Sequence, residues 1–132
     1  AGVLVVIHQR SAAFARRLAS AKKTLDPDEL SRRPGEPVVR AVTDSLVIGT
    51  GESRLVLYEL PTAHVEGMLG AYLPSARLLF VSDVLTPGPT LAPLGSAELV
   101  AFAGRRGLAI DRVAGGHGGI AKWEDVARAG AR

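Results

Sequence analysis

Three residues in this 132-residue chain have the types and settings that metal binding or proton transfer needs: His64, Asp83 and His117. Each ends an apolar run and is followed or flanked by turn-forming residues. His64 closes Pro61-Thr62-Ala63-His64, Asp83 follows Ser82, and His117 sits in Gly115-Gly116-His117-Gly118-Gly119. Ends of strands are rigid, and the loops there are open to a ligand. Two imidazoles and one carboxylate suit zinc or another divalent transition ion. Taken singly, each has a plainer explanation. A lone His is usually a satisfied structural residue, and Asp after a strand is usually a turn former. The glycines around His117 leave its ring unobstructed and let backbone approach closely.

The elements that must position these residues follow from the apolar patterning. The stretch 54–85 reads as three strands, over 54–60, 67–73 and 78–81, and holds two of the three residues. Before it, the β-branched run from Gly2 to Ile7 predicts a buried strand. His8 ends that strand and reads as a polar terminus. Ser11 is placed to cap a helix to about Ala21, with Phe14, Ala15 and Leu18 on its apolar face and Lys22 and Lys23 suiting its dipole. Asp26, Pro27 and Glu29 suit a short helix start, and Pro34-Gly35-Glu36-Pro37 breaks it. Strands are expected at 38–42 and 45–48, with a turn at Thr43-Asp44. Gly49-Thr50-Gly51-Glu52 is expected as a hairpin turn. After Asp83 comes a proline-rich loop. A helix capped by Ser96 and stopped at Gly107 follows. Leu108, Ile110 and Val113 alternate as a strand, and a last helix holds Trp123, Val126 and Ala127. Strands that neighbour one another predict a meander more than a strand–helix alternation.

The bulk composition limits the function classes. The chain suits one domain, 1–132, and at 47% hydrophobic with a mean hydropathy of +0.20 it can build a core. No apolar run approaches the roughly 20 residues that span a bilayer, and the opening run lacks the features of a secretory leader. Membrane residence is therefore not expected. With no cysteine, disulfides and thiolate metal sites are excluded, which fits a cytoplasmic setting. The net charge is +3, but the basic residues are dispersed and only six aromatics exist. Nucleic-acid binding is not expected, because it usually adds a continuous basic face or exposed aromatics. The chain opens at Ala1 without Met, as a piece of something longer, or a chain with a short tail removed by processing, would.

The segment PTAHVEGMLGAYLPSARLLFVSDVL, followed by VAGGHGG and KWEDV, resembles the C-terminal half of the metallo-β-lactamase superfamily. In that family a His in a Pro-x-x-His turn precedes a strand. The strand turns at a Pro, the next ends in Gly-Asp or Ser-Asp, and a later one ends in Gly-His-Gly. The resemblance spans roughly 3–126 and implies an α+β fold. A mostly antiparallel or mixed sheet would carry helices packed on one face, as half of a four-layer αβ/βα sandwich. It implies that His64 binds a first metal, Asp83 bridges two, and His117 binds the second. The family's remaining ligands come from an upstream His-x-His-x-Asp-His motif, which this sequence lacks. Ser82 also stands where members often have Gly.

The resemblance thus implies part of a metal-dependent hydrolase. Its parent would activate water at a dinuclear, zinc-type site against a small-molecule substrate. The chain alone would hold each ion by two protein ligands, fewer than the three of a catalytic zinc site. An apolar sheet face would await a partner, either the missing N-terminal half or a second copy. Two alternatives stand beside this: a non-catalytic association module using that face, and a weak free-standing metal binder with the trio on one ion. Substrate-facing candidates are the loop 86–95 and residues 120–123.

Overall fold

The structure is a computed structural model that describes residues 4–21, 24–27, 29–32 and 38–132. They fall into two compact units, 1–43 and 44–132.

In the first unit, strand β1 (Leu4–His8) pairs in parallel with β2 (Val38–Val42), with His8 opposite Val42. Helices α1 (Gln9–Ser20) and α2 (Glu29–Arg32) lie between them in the chain. His8, not Ser11, caps α1: its Nδ1 accepts from the Arg10 N–H at 3.3 Å, and the residue is buried. The helix begins earlier than expected because the strand runs straight into it. Its expected apolar face is not buried either. Phe14 is 57% and Leu18 53% exposed, while Ala12 is buried. The Arg17 guanidinium lies over the Phe14 ring, 5.6 Å from its centre. Gly2, Lys22, Lys23 and the break at 34–37 lie outside the described residues.

The second unit is a six-stranded mixed sheet in the order β3-β4-β5-β6-β7-β8. Its strands are β3 (Ser45–Ile48), β4 (Leu55–Leu60), β5 (Met68–Leu73), β6 (Leu78–Phe80), β7 (Arg112–Ala114) and β8 (Ile120–Lys122). The meander expectation holds from β3 to β6, which pair antiparallel in sequence order. It fails at β2, which pairs with β1 rather than β3. It fails again after β6, where helix α3 (Pro93–Arg106) carries the chain over to β7, parallel to β6. Helix α4 (Trp123–Gly130) closes the unit.

One row of side chains crosses the whole sheet in register: Val47, Val56, Tyr72, Leu79, Val113 and Ala121. Leu79 and Val113 are fully buried, in one core with Leu99 and Phe102 of α3 and Val126 of α4. The helices therefore pack on this face, as the α+β expectation required. The Tyr72 hydroxyl donates to the Ala109 carbonyl at 2.6 Å, and Tyr58 meets Phe102 edge to face at 5.7 Å. The next row, Leu46, Leu57, Ala71, Phe80, Ala114 and Ile120, is also apolar throughout. It lies on the opposite face, because successive side chains alternate.

Three local expectations change. Pro93 starts α3 a turn before Ser96, since Pro suits the first helical turn. Ser96 is then fully buried mid-helix, and its hydroxyl has no hydrogen-bond partner among the described residues. The strand expected from Leu108 shrinks to β7, because the Leu108 N–H is spent on the Ala103 carbonyl at the end of α3. That end is closed by Gly107 at φ 61°, as expected. Strand β8 is an addition that the sequence reading did not include.

Two features give testable consequences. Ser82 holds a φ of 49°, a region that costs a non-glycine residue on the order of 1 kcal/mol or more. Ser82→Gly is expected to raise unfolding stability in urea by up to about 1 kcal/mol, the relief being offset in part by glycine's looser unfolded chain. An unchanged or lower midpoint would contradict this. Separately, the Arg106 guanidinium pairs with the Asp44 carboxylate and lies over the Tyr58 ring. Its hydrogen bond, ahead of its charge, holds the Asp44 carboxyl below the usual carboxylate range. A depressed folded pKa contributes stability above the unfolded value of about 3.9, lost as pH falls through the folded value. A carboxyl-detected NMR titration should show Asp44 titrating low, and Arg106→Ala should move it up toward the ordinary range.

Candidate metal centre

The strand directions place all three candidate ligands at one end of the sheet. β4 ends, and β5 begins, at the paired residues Leu60 and Met68, so the His64 turn lies there. β6 runs antiparallel to β5 and ends toward the same side, where Asp83 follows in a 3-10 turn over Ser82–Val84. β7 runs parallel to β6 and ends beside it, where the His117 turn begins.

Asp83 is held by its neighbours. Val81, Val84 and Leu85 are all buried in the core, which fixes the turn that presents the carboxylate. The His117 turn is then fastened to that turn. The Val81 N–H donates to the Ala114 carbonyl at 2.9 Å, and the Gly116 N–H to the Ser82 carbonyl at 2.8 Å. The glycines are needed for this closeness. A Cβ on Gly118 would stand 2.0 Å from the Pro87 carbonyl oxygen, and one on Gly115 would stand 2.4 Å from that of Leu85. The chain's own segment 82–87 thus makes the close approach that these glycines allow.

The result is a contact between two of the three expected ligands. His117 Nε2 lies 3.3 Å from Asp83 Oδ1, with both side chains open to solvent. Two donors each about 2.0–2.1 Å from a tetrahedral zinc are separated by about 3.3 Å. The pair therefore fits neighbouring positions around one ion. His64 is exposed in its turn and does not join them in a group of three. Among the described residues no three His, Cys, Asp or Glu side chains gather closely enough to hold a metal.

The His64 turn is tied instead to α3. Glu98 accepts from the Thr62 hydroxyl and from the Ala63 N–H, both at 2.8 Å. The Thr62 oxygen in turn accepts from the His64 N–H at 3.1 Å. Sequence reasoning missed Glu98, which lies 35 residues from Ala63. The only signal was a single carboxylate on an otherwise neutral and basic helix.

A groove of about 590 Å³ adjoins the His117 turn. Residues 87–91 and 120–122, from both stretches expected to face a substrate, line it together with Gly118 and the α4 residues Asp125 and Arg128. Trp123 is half-buried against the core.

No family model matches the chain, and no curated protein matches it. Solved structures do. A metallo-beta-lactamase from Pontibacter korlensis is similar at a TM-score of 0.62 and 17% identity, over 94% of this chain and 54% of that one. The flavodiiron core of Flv1 from Synechocystis sp. PCC6803 is similar at 0.61 and 18%, over 95% and 35%. A metallo-beta-lactamase family protein from Thermus thermophilus is similar at 0.55 and 20%, over 98% and 52%. The chain thus spans about half the length of these proteins or less. At such identities the likeness shows the fold alone, and that fold is the metallo-β-lactamase fold, of which this chain covers a half.

Proposed function

We propose that this chain is part of a metal-dependent hydrolase and supplies His64, Asp83 and His117 to a dinuclear metal site. The observation that carries the reading is the approach of His117 Nε2 to Asp83 Oδ1 where parallel strands β6 and β7 end together. By resemblance to the superfamily, His64 would hold one ion, Asp83 would bridge, and His117 would hold the other. Imidazole and carboxylate donors suit zinc, and they suit iron equally, the metal named for the flavodiiron relative. Zinc is the choice that goes with hydrolysis. When bound, it would supply water acidified to a pKa of about 7.

The chain's own residues do the rest. The buried flanks of Asp83 hold its carboxylate in place. The glycine turn leaves the His117 ring free to present Nε2. The groove beside it would receive a small-molecule substrate. With three ligands rather than a full set, the chain alone should bind metal weakly and turn over little substrate. A cytoplasmic setting belongs to the same proposal. Among the described residues no helix is long and apolar enough to cross a membrane.

A second reading has its own observation. The apolar row from Leu46 to Ile120 reaches Phe80, 40% exposed, and Ile120, 59% exposed. An apolar sheet face of this kind is an association surface. The occupant that fits is the complementary sheet of the sandwich's other half, since the similar structures are about twice as long or more. A second copy would substitute for it. If so, light scattering should show association that a chelator leaves intact and Phe80→Asp abolishes. A chelator-sensitive assembly, or a strict monomer, would count against this reading.

The metal reading is tested by calorimetric titration with zinc. The wild type should give saturable heat, and Asp83→Ala and His117→Ala should each weaken binding at least about tenfold, the scale of losing a protein ligand or its support. No saturable heat in the wild type, or equal heat in both variants, would remove the proposal's basis.

A further inference from the structure

We infer that Glu98 is a positioning residue for His64, and that its carboxylate, acting through Thr62, fixes the turn from which His64 would reach a metal. The claim about metal affinity rests on the proposed ligand role of His64. The claim about the turn stands on geometry alone.

Three consecutive donors end on this one side chain or on the hydroxyl it holds. The Thr62 O–H and the Ala63 N–H each take one of its two oxygens at 2.8 Å. Because the Thr62 hydrogen is committed to Glu98, the lone pairs of its oxygen remain for the His64 N–H, at 3.1 Å. Donor order is therefore set along the whole path from carboxylate to His64. Bonds to an ionised acceptor are roughly twice as strong as neutral ones.

The placement adds to this. Glu98 is the one acidic residue of α3, on its second turn, and its neighbour Leu99 is buried at 1% exposure. The carboxylate is thus mounted on a helix locked into the core, while the turn it holds joins β4 to β5. A solvated helix carboxylate would have no reason to be spent, both oxygens at once, on a turn 35 and 36 residues away in sequence. Groups that orient a metal ligand without touching the metal typically change affinity by about 10–100-fold.

Amide hydrogen exchange on the metal-free full chain reads the turn directly. Glu98→Ala should speed exchange at Ala63 and His64 by at least about tenfold while Leu79 and Val113 keep their protection. Thr62→Val, which keeps the shape and removes the hydroxyl, should free His64 in the same way, and Thr62→Ser should restore it. Zinc titration of the same variants should show affinity lowered about 10–100-fold for Glu98→Ala and Thr62→Val, with Thr62→Ser near wild type. Exchange at 63 and 64 unchanged in both variants, or raised only in step with the whole core, would overturn the inference. Wild-type zinc affinity retained in both variants would overturn its metal part. Failure of the wild type to bind zinc would remove the metal reading of His64 instead, and the exchange data would still decide the role of Glu98.

Discussion

The second unit depends on how closely the ends of β6 and β7 can lie. Two parallel strands separated by helix α3 are brought side by side, and their exits are then tied by the Val81–Ala114 and Gly116–Ser82 hydrogen bonds. Leu79 and Val113, fully buried at the centre of this pairing, supply the apolar drive. The glycines at 115 and 118 remove the side chains that would hold the two exits apart. Once these conditions are met, Asp83 and His117 can hardly avoid each other. Their contact is a consequence of strand packing rather than an addition to it.

The same constraint explains where the unit tolerates irregular backbone. Ser82 takes a positive φ beside the candidate ligand because its carbonyl must meet Gly116 and its neighbours must enter the core. At that φ a glycine would sit more easily than Ser82 does. Strain kept next to a presenting side chain is the pattern seen where geometry matters more than local comfort.

Much of this was legible in the residues. The ends of the apolar runs marked the three candidate ligands, and the Gly-His-Gly and Ser-Asp motifs in order pointed to the fold that the structural likeness shows. The parts that were not legible have particular causes. Strand β8 is three residues long, too short for a period to register. The pairing of β1 with β2 is parallel, so it joins segments about 30 residues apart that no turn chemistry links. Ser96 looked like a cap because a Ser before an apolar run often is one, but Pro93 had already begun the helix. Glu98 shows locally only as the lone carboxylate of its helix: its meaning lies in partners 35 and 36 residues away. The relative placing of the trio was not legible either. Strand order brings two of them into contact and leaves His64 in its own turn.

We propose that the end of the β6–β7 pair presents Asp83 and His117 to one metal ion. The most direct measurement is anomalous diffraction at the zinc absorption edge from crystals of the chain grown with zinc. A peak is expected within bonding distance, about 2.0–2.2 Å, of both Asp83 Oδ1 and His117 Nε2. A zinc peak elsewhere, or none while Asp83 and His117 keep their contact, would contradict it.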